Sequence, residues 1–388
     1  MQVKIGIDKI GFYVPSYYMD MRELATYRGI DPNKWTIGIG QEKMAVAPLT
    51  SDVVAMAANA AASILTPEDK ASIDQVIVGT ESGVDFSKSI ATFVHEMLGI
   101  QPFAKAFEIK QACYGATAGL QMACDYVRLR PERKVLVIAT DIARYGLNTG
   151  GEATQGAGAV AMLVSAMPRI LAIDEKSYMH TNHQFDFWRP NHSEYALVDG
   201  QFSTKLYQDE FVTILEEATR HHPTLLDSLE AIVFHLPFTK MGRKALLAYE
   251  ASGAPESHLS RWLSHYDQAS YLNRMVGNIY TGSMFLSLLS LLAMDDSLQE
   301  GQRLGLFSYG SGAVAELIIG QLQPGFAAMI DKAAILAHLE RREALTVERY
   351  ETVFLSKVCE EDTPYQALES GYYLKKVVNH QRIYDYQQ

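Results

Sequence analysis

The segment Gly156–Leu163 reads GAGAVAML, and Gly310–Leu317, about half the chain later, reads GSGAVAEL. A second, weaker pair of similar segments precedes them in the same order: Val76–Glu81 reads VIVGTE and Ile232–Pro237 reads IVFHLP. Two pairs of similar segments that occur in the same order indicate that the chain consists of two duplicated halves. Because no linker rich in proline, glycine or serine separates the copies, we expect them to pack as one unit. We place the boundary near Pro168, between halves of residues 1–168 and 169–388.

Apolar runs of strand length alternate with helical patterns along the whole chain. Continuous apolar strands between helices predict sheets that are buried on both faces and covered by helices, which is an α/β architecture. The predicted strands are Gln75–Gly79, Lys134–Thr140, Leu229–His235, Arg303–Tyr309 and Ala313–Ile319, and the predicted helices are Asp52–Leu65, Ser87–Leu98, Cys113–Leu129, Ala245–Tyr249 with its flanks, and Gly282–Met294.

The composition excludes several classes of protein. Of the 388 residues, 48% are hydrophobic and 20% are charged, which fits a globular protein rather than a disordered one. A formal net charge of −11 argues against a general nucleic-acid binder. Three cysteines form no disulfide framework and no zinc motif, and no apolar stretch is long enough to span a membrane. We therefore expect a cytoplasmic protein without a structural metal.

Cys113 is the first candidate for chemistry. It lies between the strand-like stretch Lys105–Ile109 and a run of small residues that predicts a closely packed helix. A cysteine in the first turn of a buried helix meets unpaired N–H groups and the positive end of the helix dipole. We therefore expect the pKa of the Cys113 thiol to fall, which would make it a nucleophile. The alternative is a small buried hydrophobic residue, as Cys124 further along the same helix is expected to be.

His235 closes an apolar strand just before Pro237, a place from which a side chain can project into a cleft. Lys240 and Lys244, four residues apart, would share one helical face near a helix start and could form a local anion site. The alternatives are a hydrogen-bonded core histidine and a solvated lysine face.

Glu81 lies just after a predicted buried strand and is flanked by Gly79 and Gly83. A carboxylate in this place is either a helix cap or an acid of a functional site. If it is a site acid, burial would raise the pKa of its carboxyl toward the range useful for proton transfer. Three further residues are supporting candidates for a site. Asp186 lies among aromatic residues, Asn278 lies just before a predicted buried helix, and Ser311 lies in the repeated glycine-rich segment.

Several of these local sequences match one known family. Four short segments occur in the order found in that family: GTES around Glu81, EIKQACY ending at Tyr114, FHLPFTK ending at Lys240 and GNIYTGS around Asn278. Together with the duplicated core, the set resembles the thiolase superfamily and, within it, the bacterial 3-hydroxy-3-methylglutaryl-CoA synthases. The resemblance runs from about Ile5 to beyond Ile318. It implies a thiolase-like fold of two duplicated α/β halves in an α-β-α-β-α arrangement.

The resemblance also implies an activity. This family condenses acetyl-CoA with acetoacetyl-CoA, giving 3-hydroxy-3-methylglutaryl-CoA and CoA in the mevalonate route to isoprenoids. Cys113 would carry the acetyl group as a thioester. Glu81 would remove a proton from the acetyl methyl group and later protonate the new alkoxide. His235 would hold and polarise the acetoacetyl group, and the amide N–H of Cys113, with that of Ser311, would stabilise the oxyanion.

The remaining site residues are carried over from the family in the same way. No cofactor or metal is implied, the partners are the two acyl-CoA substrates, and superfamily members are usually homodimers. Expected substrate contacts are Asp31, Asn148, Thr154, Ser203, Lys240, Lys244, Asn278 and Ser311, and expected supporting residues are Asp141, Asp186 and Tyr309.

Three other functions stay open on the sequence. A 3-ketoacyl-carrier-protein synthase III-like condensing enzyme would pair its cysteine with histidine and asparagine, without a glutamate at the position of Glu81. A cysteine hydrolase would use Cys113 and His235. A non-catalytic acyl-CoA binder would leave Cys113 unacylated.

Overall fold

The computed structural model describes residues 3–360 and 364–388 as alternating strands and helices. The strands are β1 (Ile5–Tyr13), β2 (Tyr17–Asp20), β3 (Lys43–Val46), β4 (Ile73–Gly79), β5 (Lys105–Ile109), β6 (Lys134–Ala143), β7 (Gly156–Ala166), β8 (Leu171–Ile173), β9 (Tyr178–Thr181), β10 (Phe187–Trp188), β11 (Leu197–Val198), β12 (Leu229–Phe234), β13 (Arg303–Gly310), β14 (Val314–Leu322), β15 (Glu343–Ala344), β16 (Gly371–Val378) and β17 (Gln381–Gln387). The α-helices are α1 (Met21–Tyr27), α2 (Val53–Ala62), α3 (Pro67–Ser72), α4 (Ile90–Leu98), α5 (Gly115–Leu129), α6 (Gly200–His221), α7 (Met241–Ala251), α8 (Glu256–Ser264), α9 (Tyr266–Ala269), α10 (Tyr271–Val276), α11 (Ser283–Met294), α12 (Lys332–Glu340) and α13 (Val347–Leu355).

The main sheet contains most of one strand pattern twice. In the first half the order is β1-β7-β6-β4-β5, in which β4, β5 and β6 are parallel and β7 runs against both of its neighbours. In the second half β12 and β13 are parallel, and β14 runs against β13, β8 and β9. The two echoes seen in the sequence correspond to β7 with β14 and to β4 with β12. The expected duplication is therefore confirmed.

A short strand joins the two patterns. β8 pairs with β1 on one side and with β14 on the other, so the hydrogen bonds run through both halves without interruption. Pro168, where we place the boundary of the halves, lies between β7 and β8.

Helices cover the sheet in layers. α5 packs on β4, β6 and β7, and α11 packs on β12 and β13, so these two helices lie in the middle of the molecule. α2 and α4 cover strands of the first half, and α6 and α8 cover strands of the second. This is the expected α-β-α-β-α order. In residues 3–360 and 364–388, every helix is too short or too polar to cross a membrane.

The parallel strands deliver the candidate residues to one edge. The carboxyl ends of β4, β5 and β6 lie side by side, and the chain continues from them to Glu81, Cys113 and Tyr145. In the second half, β12 ends at Phe234, immediately before His235. Because parallel strands end at a common edge, side chains that are far apart in sequence meet there.

Candidate active site

Cys113 and Glu81 form a hydrogen-bonded pair. The Cys113 Sγ donates to the Glu81 Oε1 at 3.1 Å, and the cysteine is buried, with 8% of its surface exposed. The main-chain N–H of Glu81 donates to the Asp141 carboxylate at 2.9 Å. The thiol therefore faces a carboxyl group that is itself fixed by its backbone.

Two glycines allow this meeting. A Cβ on Gly79 would lie 2.2 Å from the amide nitrogen of Ala116, and a Cβ on Gly115 would lie 2.7 Å from the carbonyl oxygen of Ile109. The end of β4 and the start of α5 can thus touch only because neither residue has a side chain.

The expected position of Cys113 in the first helical turn is wrong. α5 begins at Gly115 with Tyr114 as its N-cap residue, so Cys113 precedes the helix. Ala112 has a φ of 42°, in the left-handed region that residues with a Cβ rarely occupy. Strain of this kind gathers at functional sites, where the surrounding structure holds it in place. The turn that presents Cys113 is therefore a tight, strained connection rather than part of the helix.

The expected fall in the pKa of the Cys113 thiol is also wrong. Burial raises the pKa of this thiol well above its usual range, and the neighbouring Glu81 carboxylate raises it further. Burial, together with the negative charge of Asp141, raises the pKa of Glu81 to about 8, as expected for a carboxyl in a dry cleft. At neutral pH the pair is mainly thiol and carboxylic acid.

Asp141 supports Glu81 through a dense set of hydrogen bonds. Its Oδ1 accepts from the Thr80 and Ser82 hydroxyls and from the Glu81 N–H, and its Oδ2 accepts from the Thr281 hydroxyl and N–H. Burial raises the pKa of Asp141, while these donors favour the charged form. Because every contact is a donor aimed at an oxygen, we take Asp141 as the standing negative charge of the site.

His235 is a buried, neutral imidazole. The main-chain N–H of His235 donates to the Phe307 carbonyl oxygen at 2.8 Å, and the main-chain carbonyl oxygen of His235 accepts from the Tyr207 hydroxyl at 2.6 Å. Burial lowers the pKa of His235 to about 3. Its Nδ1 is buried and has no hydrogen-bond partner within the described part of the chain, and the residue lines the cavity described next.

A cavity of about 640 Å³ connects residues of the two halves. Seven of the predicted residues line it: Cys113, Thr154, Ser203, His235, Asn278, Tyr309 and Ser311. Glu81 lies behind Cys113. Residues predicted from separate parts of the sequence are thus brought together in one cavity, although they form only part of its wall.

Asp186 fixes several cavity-lining groups of the second half through hydrogen bonds. This fully buried carboxylate accepts from the Tyr309 hydroxyl at 2.9 Å and the Ser203 hydroxyl at 3.1 Å, and from the Gly312 N–H at 3.0 Å. Two cavity-lining side chains and the loop after Ser311 are thus fixed by one group.

Four predicted contacts lie outside the wall. Asp31 is exposed after α1, and Asn148 is exposed with a φ of 54° next to the lining residue Thr149. Lys240 is the N-cap residue of α7, and the Lys244 Nζ lies 5.2 Å from the centre of the Phe238 ring, which lines the cavity. The two lysines therefore lie close to the cavity rim.

Sequence reasoning missed several lining residues. Tyr145, Trp35 and Ile39 line the cavity, and Phe187 was noted only as part of an aromatic frame. Tyr145 stands two residues after the end of β6, so the strand-end argument used for Glu81 and His235 could have found it.

Comparisons with known proteins agree with this geometry. Residues 2–168 match the family model described as hydroxymethylglutaryl-coenzyme A synthase N terminal, and residues 171–260 and 258–387 match the corresponding C-terminal model. The chain is 52% identical over 350 residues to the hydroxymethylglutaryl-CoA synthase of Enterococcus faecalis, covering 90% of this chain and 91% of that protein.

Solved structures give the same result. An HMG-CoA synthase complexed with CoA superimposes with a TM-score of 0.95 at 43% identity, covering 99% of this chain and 100% of the other. MvaS in complex with 3-hydroxy-3-methylglutaryl coenzyme A superimposes with a TM-score of 0.90 at 34% identity, covering 100% of both chains. With both family models and both halves of the fold accounted for, the chain belongs to the hydroxymethylglutaryl-CoA synthase family.

Proposed function

We propose that this protein condenses acetyl-CoA, acetoacetyl-CoA and water to 3-hydroxy-3-methylglutaryl-CoA and CoA, with an acetyl thioester on Cys113 as the intermediate. This is an acyl-transferring condensation on the mevalonate route to isoprenoids, in keeping with the family. The observation that carries the proposal is the 3.1 Å hydrogen bond between Cys113 and Glu81 beside a cavity that His235 also lines.

The first step is acetyl transfer. The Cys113 sulfur attacks the carbonyl carbon of acetyl-CoA, and CoA leaves as its thiol. Because the pKa of the Cys113 thiol is raised, its proton must depart as the sulfur attacks, and the ionised fraction of Glu81 lies in hydrogen-bond contact to accept it. The N–H groups of Cys113 and Ser311 are our candidates for the oxyanion hole.

Glu81 then acts on the acetyl group. Its carboxylate removes a proton from the methyl carbon, which attacks the ketone carbon of acetoacetyl-CoA, and the protonated carboxyl afterwards gives a proton to the new alkoxide. A pKa of about 8 suits a group that works first as base and then as acid near neutral pH. Water finally cleaves the thioester and frees Cys113.

The second half holds the acceptor. A neutral His235 can donate one N–H to the acetoacetyl carbonyl oxygen and so favour attack at that carbon. We assign Thr154, Ser203, Asn278 and Ser311 to contacts with the acyl and thioester groups. Lys240 and Lys244 at the rim, with Asp31 and Asn148 further out, are our candidates for the CoA moiety.

Intact-protein mass spectrometry tests the intermediate. After incubation with acetyl-CoA, we expect one acetyl group on the wild type, the same group formed more slowly on Glu81→Ala, which lacks the proton acceptor, and none on Cys113→Ser. Adding acetoacetyl-CoA should release product from the wild type only. An unmodified wild-type Cys113 would refute the proposal.

The same experiment separates the alternatives. Rapid water attack on the acyl-enzyme without carbon–carbon bond formation would identify a hydrolase. Turnover only with an acyl-carrier protein would point to a ketoacyl-carrier-protein synthase III. The latter is not favoured, since a carboxyl group is hydrogen-bonded to the cysteine.

We also propose a homodimer. Within the described residues, β5 is the last strand of the main sheet and has one unpaired edge, and the Phe86 and Phe103 side chains are each 93% exposed. Exposed edges and large apolar side chains are unfavourable in water and commonly mark interfaces. Sedimentation should give twice the chain mass, and replacing both phenylalanines by serine should weaken association.

A reducing compartment, the cytoplasm, suits this chemistry. Cys113 and Cys124 are free thiols, and the mechanism needs Cys113 as a thiol. Cell fractionation would test this location.

A further inference from the structure

Three aromatic rings pack against one another near Cys113. The rings of Tyr145, Phe187 and Tyr280 pack edge to face, with centroids 5.9 Å apart for Tyr145 and Phe187, 6.1 Å for Tyr145 and Tyr280, and 5.8 Å for Phe187 and Tyr280. Cys113 packs in the same apolar cluster. We call these three side chains the ring cluster.

The ring cluster is held rigidly by three separate segments. The Tyr145 N–H donates to the Gln155 side chain at 2.7 Å, and the Tyr280 hydroxyl accepts from the Arg144 N–H at 3.2 Å. Phe187 lies on β10, which pairs with β11. Edge-to-face aromatic packing is favourable, so the rings resist displacement by a ligand.

The proposed chemistry fixes where an acyl chain must lie. For Glu81 to remove a proton from the acyl group on Cys113, the carbon next to the carbonyl must lie within reach of the Glu81 carboxyl, whose Oε1 is 3.1 Å from Sγ before acylation. Any further carbon must project from that point into the neighbouring side chains. Phe187 and Tyr280 belong to the same apolar cluster as Cys113, and Tyr145 packs against that cluster.

We infer that the ring cluster restricts the acyl group on Cys113 to acetyl and rejects propionyl-CoA and longer acyl-CoA thioesters. This inference rests on the proposed function, because it concerns the donor of the same reaction. Phe187 is the residue to change: it lines the cavity and carries no polar atom, so its truncation leaves no unpaired group.

Propionyl transfer forms and breaks the same bonds as acetyl transfer. A bond forms between the Cys113 sulfur and the propionyl carbonyl carbon while the bond to the CoA sulfur breaks, and the thiol proton ends on CoA. In a variant that also condenses, the product would be one methylene heavier, with the extra methyl group on the carbon that Glu81 deprotonates.

The test compares rates of Cys113 acylation by acetyl-CoA and propionyl-CoA, read by intact-protein mass spectrometry. One methylene that does not fit an apolar pocket typically changes such rates by about 10-fold to 200-fold. We expect the wild type to favour acetyl by at least about 10-fold, and Phe187→Ala to lower this ratio by about 10-fold or more. Phe187→Leu, which keeps more of the packing, should lie between them.

A matched control is available two residues away. Phe185 is 61% exposed, and its ring contacts Trp188 rather than the ring cluster, so Phe185→Ala should keep the wild-type ratio. Equal rates of acetylation and propionylation in the wild type would overturn the inference. So would an unchanged ratio in folded Phe187→Ala or, if that variant does not fold, in Phe187→Leu. Absence of any acetylation in the wild type would instead refute the proposed function.

Discussion

Replacing Glu81 by glutamine should stabilise the protein, and more so as the pH rises. Glutamine has the same shape and keeps an Oε1 that can accept the Cys113 thiol, but it has no proton to lose. The wild-type carboxyl has a pKa of about 8 when folded, against a usual value of 4.5. Between these values the folded protein keeps a proton that the unfolded chain has released. The wild type therefore loses stability as the pH rises through this window.

The size of the effect follows from the two values. At about 1.4 kcal/mol for each pH unit, the interval corresponds to roughly 5 kcal/mol. This is an upper figure, since relaxation and water entry reduce the penalty, and we expect on the order of 3 kcal/mol. The cost is the free energy of placing a second negative charge beside Asp141 in a dry cleft.

The assay is urea unfolding of the wild type and Glu81→Gln at about pH 5 and about pH 8.5. Comparing the two proteins at each pH removes the contribution of all other titrating groups. Glu132→Gln, at an exposed position, controls for the loss of a carboxylate. If the advantage of Glu81→Gln over the wild type is the same at both pH values, our account of Glu81 is refuted.

Three further predictions concern stability. Gly79→Ala should cost about 3 kcal/mol or more, because a Cβ would meet the backbone of α5, whereas Gly200→Ala, in open space, should be tolerated; equal urea midpoints would contradict this. Arg28→Met should cost about 3 kcal/mol by leaving the buried Glu152 carboxylate without its cation, and unchanged thermal unfolding would exclude that role. Tyr384→Phe should cost about 1–2 kcal/mol by removing a 2.7 Å hydrogen bond to the carboxylate that caps α2. An unchanged free energy of unfolding in urea would contradict this.

Most of the central fold could be predicted from local signals. The strand predicted over Lys134–Thr140 is Lys134–Ala143, and the helix predicted over Gly282–Met294 is Ser283–Met294. Both are continuous apolar runs buried in the core, where pattern and tertiary environment agree. The helix predicted from Ser87 begins at Ile90 because the Ser89 side chain caps it.

The electrostatics of Cys113 could not be predicted in this way. The helix-dipole argument considers only the segment that carries the cysteine. The carboxyl group that dominates belongs to Glu81, which lies 32 residues away and is brought within 3.1 Å by the pairing of β4 and β5. Desolvation likewise depends on the whole fold. Burial and the Glu81 charge both raise the pKa of Cys113, and together they outweigh the lowering expected from the helix dipole.

The predicted wall residues include His235 at a strand end and also Ser203 and Asn278, which lie in a helix and a loop. Asn148 and Asp31 were carried over from the family in the same way, and both lie outside the wall. The ring cluster comes from three segments, of which only Phe187 stands in a strand. Nothing in the sequence near any one of them signals the other two.

The two halves meet in a seam of buried hydrogen bonds. Glu316 on β14 accepts from the Tyr114 hydroxyl and from the Gln121 side chain, each at 2.7 Å, and both donors belong to the segment that presents Cys113. Since sulfur and imidazole come from opposite sides of this seam, their spacing is only as constant as the docking of the halves. A slip of about 1 Å can cost about 100-fold in rate. On warming, turnover should therefore fall while the molecule is still folded, and its rate would report how tightly the two halves stay docked.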